Sequence, residues 1–365
     1  MQKLIQEIRT ITESVGLPYF EIHVFKGYDN VFSHVDKPAD CADKDKVYLY
    51  SCTKPITVAC ALQLVEAGKL SLDDCVSKYI PAFKDAFVLD ESGNRQSLSK
   101  PITLRHLLTM SAGFNYSCDT SHLLEICKRH NNPSTETIMN ELAKYPLNFV
   151  PGSQFCYSFC LDVLARVVEV ASGMMFSEYA EQHIFKPLGM TSCGFRDNDQ
   201  KRMLPQYTAA SGKIELAHQH NALVPSDRFD SGGAGLIGTV ADYAKFGVAL
   251  ANDGLTKNGY RLLSPESVLK MRTPQIDFLS VENSFTCVQG SDYSYGFGVR
   301  TRTVPTEFGL GVGEFGWDGA AGTYLMVDPI KNISIVMGMH VLVWPNIFKG
   351  KHLEIVKKVY ETFDF

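Results

Sequence analysis

Ser51 and Lys54 stand three residues apart in "YLYSCTKPITVACALQLVEAGKLSLDD", residues 48–74. At a helix start that spacing places both side chains on one face, with their Cβ atoms about 5–6 Å apart. The run from Ile56 to Val65 has only Thr57 and Gln63 as polar members, so the helix it forms is expected to be buried on most sides. A serine hydroxyl is a weak nucleophile until a base takes its proton. A lysine ordinarily stays charged, with a pKa of about 10.4. Desolvation or a nearby cation lowers that value and turns the amine into a base. The apolar run behind Lys54 supplies the desolvation, and Pro55 fits a first turn, where its missing N–H costs little. Taken alone, Ser-x-x-Lys also describes a surface cap with a solvated lysine.

Other constellations point elsewhere less well. His106 in "LRHLL" reads as a residue that packs or caps its own helix, and the chain holds no Gly-x-Ser-x-Gly elbow for a Ser-His-Asp arrangement. "GLGVG" at 309–313 lacks the further glycine and the helix of a dinucleotide site, and "SGGAGL" at 231–236 lacks the Lys-Ser/Thr ending of a phosphate loop. The latter reads as a structural or cleft-lining turn. Ten cysteines, at 41, 52, 60, 75, 118, 127, 156, 160, 193 and 287, have irregular spacings and no Cys-x-x-Cys, which favours free thiols over a disulfide framework. Neither Cys156 with Cys160 nor His218 with His220 completes a four-ligand set, so no metal site is expected, and no organic cofactor is implied.

The elements that must hold these residues belong to an ordinary globular chain. It has 365 residues, 45% hydrophobic and 21% charged, enough for one large domain or two. A net charge of -5 gives no global attraction for nucleic acid or an anionic membrane. At the N-terminus Leu4, Ile5, Ile8 and Ile11 recur at helical spacing among charges, which reads as an amphipathic helix and not as a signal peptide. No run of about 18 apolar residues occurs, so no membrane span is expected and the expected location is cytoplasmic.

Tyr19 to Lys26 and Val31 to Val35 alternate as a hairpin around "GYDN". The helix after Ser51 should stop near Gly68. From about 80 to 225 the pattern is mostly helical, with stops at Gly113 and Gly173 and a break at Pro187. Thr239 is the expected N-cap of a helix over "VADYAKFGVALA". "YGFGVRT", "TYLMVDP" and "ISIVMGMHV" read as strands, and "HLEIVKKVYETF" as a closing helix. The simplest assembly is α+β: an antiparallel sheet built from both termini and flanked by helices (1–79 and 231–365), with a mostly helical domain (80–230) inserted. The cleft between the two is the expected ligand site.

Taken in order, "SCTKPIT", "ITLRHLLTMSAGF", "PGSQFCYSFCLDVLARVVEVASG", "KPLGM", "SGGAGLIGTVADYAKF" and "FGWDGAAGTYLMVDP" resemble the serine β-lactamase and penicillin-binding-protein superfamily. The likeness is closest to its class C-like branch of family VIII carboxylesterases, and spans about residues 20–345. Individually the motifs are loose; the ordered set is specific. The resemblance implies a β-lactamase/transpeptidase-like fold, with Ser51 as nucleophile and Lys54 as its proton acceptor. Tyr157 in "CYSF" matches the tyrosine of the family's Tyr-x-Asn element, which shares base duty and protonates the leaving group. Trp317-Asp318-Gly319 matches the strand that carries Lys-Thr-Gly or Trp-Gly-Gly. The backbone N–H groups of Ser51 and Ala320 would then form the oxyanion hole, where Gly319 and the small Ala320 suit a close approach.

Two departures bear on the substrate. Phe159 replaces the asparagine of the tyrosine element, and Trp317 replaces the lysine that would meet a substrate carboxylate. Both changes favour a neutral acyl ester. Asp318 in the cleft would disfavour anions further, unless it points to solvent. Tyr293 and Tyr295 in "QGSDYSYGF" are further candidates to line the pocket. The implied activity is serine esterase chemistry on a small-molecule acyl substrate. A β-lactamase, a D-amino-acid peptidase or amidase, an acyltransferase, and a non-catalytic ligand-binding homologue remain alternatives.

Overall fold

Both ends of the chain supply one seven-stranded antiparallel sheet. Strands β1 (Phe20–Lys26) and β2 (Asp29–Asp36) come from the N-terminal part. Strands β3 (Tyr293–Tyr295), β4 (Arg300–Arg302), β5 (Phe315–Asp318), β6 (Tyr324–Asp328) and β7 (Ile333–Gly338) come from the C-terminal part. Their spatial order is β3-β4-β5-β6-β7-β1-β2. The two ends meet where Ile22 faces Met337 and Val24 faces Ile335. This computed structural model describes residues 1–196, 200–276, 280–281 and 292–365. Cys287 and residues 289–291 of the "QGSDYSYGF" segment lie outside the described residues.

The main helices are α1 (Gln2–Glu13), α2 (Thr53–Glu66), α3 (Leu104–Leu108), α4 (Tyr116–Arg129), α5 (Thr135–Leu142), α6 (Cys160–Ser172), α7 (Phe176–Ala180), α8 (Val240–Ala251), α9 (Pro265–Arg272) and α10 (Lys351–Phe363). Strand alternation sorts the sheet's side chains between two cores. Ile333, Ile335 and Met337 of β7 join Leu4 and Ile8 of α1 and Ile355 and Val359 of α10 on one face. Val336, with Leu325 and Val327 of β6, turns to the opposite face and joins α2 and α8. There α8 comes close enough that a Cβ on Gly247 would lie 2.4 Å from Ser334 Oγ. Between residues 80 and 230 the chain forms α3 to α7 and only short strands.

Local signals explain most element ends. Thr239 accepts the Asp242 N–H at the start of α8, and Ser134 accepts the Thr137 N–H at the start of α5. Gly173 closes α6 at φ +74°, the left-handed C′ state that glycine adopts without a Cβ penalty. Gly68, at φ +68°, follows α2 in the same way. Two expectations differ. The helix from Phe176 does not break at Pro187: it passes through a π-type turn at Glu181–Phe185 into Lys186–Leu188 and ends at Gly189. The i→i−4 ladder is already displaced there, so the missing proline N–H interrupts little. "YGFGVRT" is two strands, because the chain turns at Gly298 (φ +69°), where a Cβ would lie 2.5 Å from Val58 of α2. Among the described residues no helix is long and apolar enough to cross a membrane. The nine described cysteines are free thiols.

Candidate active site

Ser51 sits in a single 3-10 turn, Tyr50–Cys52, that leads into α2. The chain before it, Lys46–Tyr48, pairs antiparallel with Ile237–Thr239. The Leu49 N–H then donates to Leu236 O at 2.9 Å. Thr53 Oγ1 donates to Tyr50 O at 2.5 Å and accepts the Leu236 N–H at 2.9 Å. The Tyr243 hydroxyl donates to Cys52 O at 2.7 Å. Three elements therefore pin the turn before any ligand arrives. Behind it every residue of α2 from Thr53 to Leu62 is buried, as its apolar composition requires.

Lys54 is fully buried. Its Nζ lies 3.2 Å from Ser51 Oγ, 3.0 Å from the Tyr116 hydroxyl and 2.8 Å from Gly233 O. It also sits 4.5 Å from the centroid of the Tyr157 ring. Burial brings its pKa down to about 7, against an upward pull from the Asp162 carboxylate. Near neutral pH a large fraction of the amine is thus unprotonated and able to take the Ser51 proton. Asp162 is itself buried in α6, which raises its pKa, while Lys54 and hydrogen bonds hold it down. Its Oδ1 accepts from Ser231 Oγ at 2.6 Å and from the Gly233 N–H at 3.1 Å. The "SGGAGL" turn is therefore part of the lysine's setting. A Cβ on Gly233 would lie 2.4 Å from Asp162 Oδ2, and one on Gly232 would lie 2.5 Å from Leu161 O.

Tyr157 precedes α6 and faces Ser51, to which its hydroxyl is hydrogen-bonded. The same oxygen accepts the Trp317 indole N–H at 2.9 Å. Burial raises the phenol's pKa, and these two hydrogen bonds oppose the rise. Trp317 is not an open pocket wall. It is 5% exposed and lies between the rings of Tyr157 and Tyr295, both with centroids 5.2 Å away.

At the end of β5 a Cβ on Gly319 would lie 2.5 Å from Leu49 O, so only glycine lets this strand approach the Ser51 turn so closely. Ala320 follows and is exposed. It lines a cavity of about 570 Å3 together with Tyr50, Gln206, His218, His220 and Leu342. No Lys, Arg, Asp or Glu is among the described residues that line it.

Four further residues of this region are engaged within the fold. Asp318 points neither into the cleft nor to solvent: its Oδ1 accepts from Arg300 Nη1 at 2.9 Å, with the guanidinium fully buried. Tyr295 is fully buried against Phe155 and Trp317. The Tyr293 hydroxyl accepts from Arg302 Nη2 at 2.5 Å, and its ring lies under that guanidinium. Neither tyrosine lines the cavity beside Ala320. Phe159 is buried too and meets the ring of Tyr116 edge-on, with centroids 4.5 Å apart. His106 caps its own helix, its Nδ1 accepting the Thr103 N–H at 3.1 Å.

Sequence reading missed Tyr116, Asp162 and Gly233. For Asp162 a signal existed: it is a lone acid in the apolar stretch "FCLDVLARVV", and a buried acid needs partners. Among the described residues no three His, Cys, Asp or Glu side chains cluster so as to hold a metal ion.

The seven-stranded antiparallel sheet, with the Ser51 turn packed against the end of its inner strand β5, has the β-lactamase/transpeptidase-like fold. The chain belongs to the β-lactamase family, whose model matches residues 8–352. It is similar to Protein Rv1367c of Mycobacterium tuberculosis, with 31% identity over 306 residues, 78% of this chain and 75% of that one. It is also similar to the lovastatin esterase of Penicillium rubens, with 35% identity over 242 residues, 62% of this chain and 59% of that one. Among solved structures, EstCE1, described as a hydrolase with promiscuous acyltransferase activity, superposes with a TM-score of 0.81 at 23% identity. That match covers 98% of each chain.

Proposed function

We propose that the chain is a serine hydrolase that cleaves small, neutral acyl esters through an acyl-enzyme on Ser51. Ser51 Oγ attacks the ester carbonyl carbon and its proton passes to Lys54 Nζ, with Tyr157 sharing that duty. The backbone N–H groups of Ser51 and Ala320 receive the negative charge that gathers on the carbonyl oxygen. The carbon–oxygen bond to the alcohol then breaks, and the Tyr157 hydroxyl returns a proton to the departing oxygen. Water adds to the acyl-serine by the reverse sequence and frees the acid.

The observation that carries this reading is the approach of Ser51 Oγ to within 3.2 Å of a buried amine whose pKa has come down to about 7. A solvated lysine in a surface cap would remain charged and could not act as the base. The preference for neutral esters rests on the cavity beside Ala320, lined without Lys, Arg, Asp or Glu, and on Asp318, whose charge is engaged by Arg300.

Transfer of the acyl group to an alcohol other than water is a second reading. The acyltransferase activity in the description of EstCE1 favours it. Mass spectrometry of the intact protein after a fluorophosphonate probe tests the nucleophile. Turnover of p-nitrophenyl acetate and butyrate, with nitrocefin as control, tests the substrate. The expected result is one label on Ser51, rapid ester cleavage and slow nitrocefin cleavage. Rapid nitrocefin cleavage would make the protein a β-lactamase; no label and no turnover would leave a narrow-specificity acyl-transfer enzyme or a binding protein. Added alcohols that become acylated would establish the transferase.

A further inference from the structure

The residue before Ser51 has an unusual backbone state. Tyr50 sits at φ +46°, a left-handed conformation that is costly for a residue with a bulky side chain. Such states persist where the surroundings over-determine them. Beside the contacts that pin the turn from Leu236, Thr53 and Tyr243, one more reaches Tyr50 itself from far along the chain. The Tyr50 hydroxyl, in a buried side chain, donates to Gln206 Oε1 at 2.7 Å.

Gln206 is fully buried, and its amide is used at both ends. Its Nε2 donates to His218 O at 2.5 Å and to His220 O at 3.4 Å. Its backbone makes a reciprocal pair with Gln219: the Gln206 N–H donates to Gln219 Oε1 at 2.8 Å, and Gln219 Nε2 donates to Gln206 O at 3.0 Å. His218 and His220 stand on one wall of the cavity, while Tyr50 and Ala320 also line it. A single buried amide therefore joins the wall of the cavity to the turn that presents Ser51.

We propose that Gln206 is a positioning residue for acyl transfer, acting through Tyr50. It holds the left-handed turn that aims Ser51 and fixes the His218–His220 wall at a set distance from that turn. This rests on the reading of Ser51 as the nucleophile. Gln206 touches no reacting atom in this scheme. Its effect is to keep the serine aligned between base and oxyanion donors, where small misplacement is expensive in rate. It also makes acyl groups that fill the cavity press on a wall tied to the nucleophile.

The test compares wild type with Gln206→Met, Tyr50→Phe and the double variant. The readouts are the second-order rate of Ser51 labelling by a fluorophosphonate, and kcat and KM for p-nitrophenyl acetate and octanoate. Rates are expressed per Ser51 titrated, so that a lost folded fraction is not counted. Each single variant is expected to lower the labelling rate and kcat about tenfold and to leave KM for acetate within about twofold. The octanoate-to-acetate ratio should shift, and the double variant should be no slower than the slower single one, since both remove the same link. Wild-type rates in both single variants, or losses that multiply in the double variant, would overturn the proposal while leaving Ser51 as the nucleophile. A wild type that neither labels nor turns over would instead sink the underlying reading, and this one with it. Tyr50→Phe removes one hydroxyl and no packing volume, so it decides the matter if Gln206→Met does not fold.

Discussion

Trp317 donates its indole N–H to the phenolic oxygen of Tyr157 at 2.9 Å. The same oxygen is hydrogen-bonded to Ser51, so its place is set by a donor on the strand that ends at the proposed oxyanion site. In the proposed reaction this oxygen gains negative charge whenever its proton is on loan. A hydrogen bond to a charged acceptor contributes about 1.5–3 kcal/mol, which corresponds to roughly ten- to a hundredfold in rate. Trp317→Phe keeps a flat ring between Tyr157 and Tyr295 and removes the donor. It is expected to lower kcat by that factor for p-nitrophenyl butyrate, with KM within about twofold. An unchanged kcat would show that the indole only packs.

In the proposed reaction Lys54 sets the acid side of the pH profile. Its pKa near 7 means that the neutral amine dominates above that pH and is lost below it. Single-turnover acylation should fall about tenfold per pH unit on the acid side, with a midpoint of about 7. Lys54→Arg should show no such limb and almost no acylation, because a guanidinium stays protonated. The same group affects stability. Its folded pKa lies below the ordinary value of about 10.4, so the unfolded chain holds more protons between about pH 7 and pH 10. Stability gained from this group therefore rises with pH across that window, and its cost is complete below about pH 7. Melting temperature measured from pH 6 to pH 9, set against Lys54→Met, should show the wild type gaining on the variant as pH rises.

Asp162 pulls in the opposite direction. Its carboxylate favours the charged lysine and raises the Lys54 pKa against burial. Asp162→Asn removes the charge and keeps an oxygen for Ser231 Oγ and the Gly233 N–H. The acid limb of acylation should then move below its wild-type midpoint, toward lower pH. A limb that stays in place would mean that burial alone sets the lysine's pKa.

How much of this was legible in the sequence follows from the range of each interaction. Ser51 and Lys54 are three residues apart, and their relation survives in any helix start, although Ser51 proved to lie in the turn before α2. Strands at both chain ends were visible because period-2 alternation is local. Tyr116 was not visible. It pairs with Lys54 from 62 residues away, at the start of a helix with a mixed face, "YSCDTSHLLEICKR". The Arg300–Asp318 pair was hidden because charges in strands read as solvent-facing, and only the fold buries both. The strain at Tyr50 and the double role of Gln206 also lie in tertiary contacts, which periodicity and capping rules do not address. Trp317 stood out as a departure from the family pattern, but its hydrogen bond to Tyr157 spans 160 residues of chain and exists only in the fold.

Gly233 tests the packing around the lysine. A Cβ there would lie 2.4 Å from Asp162 Oδ2 and 3.0 Å from the Tyr116 hydroxyl. Both groups belong to the network around Lys54, so Gly233→Ala must push it apart. Overpacking of this kind costs about 1–3 kcal/mol. The variant is expected to melt several degrees lower and to lose most acylation even where it remains folded. Near wild-type activity would mean that the network is looser than its distances indicate.

The last prediction concerns the charge of the acyl group. The cavity beside Ala320 has a volume of about 570 Å3 and no Lys or Arg among the described residues that line it. The strand position that would offer a lysine to a carboxylate carries Trp317, whose indole N–H is engaged by Tyr157. Arg300, on the strand beside Trp317, is buried and paired with Asp318, so it is not available to a substrate. An acyl chain that ends in a carboxylate would leave water without gaining a counterion, and an unpaired charge is costly to desolvate. Butyrate and succinate half-esters of p-nitrophenol have similar lengths and differ chiefly in that carboxylate. The butyrate ester is expected to exceed the succinate half-ester in kcat/KM by about tenfold or more, mostly through KM. Equal kcat/KM values would mean that acyl groups do not enter this cavity, and the preference for neutral esters would lose its structural basis.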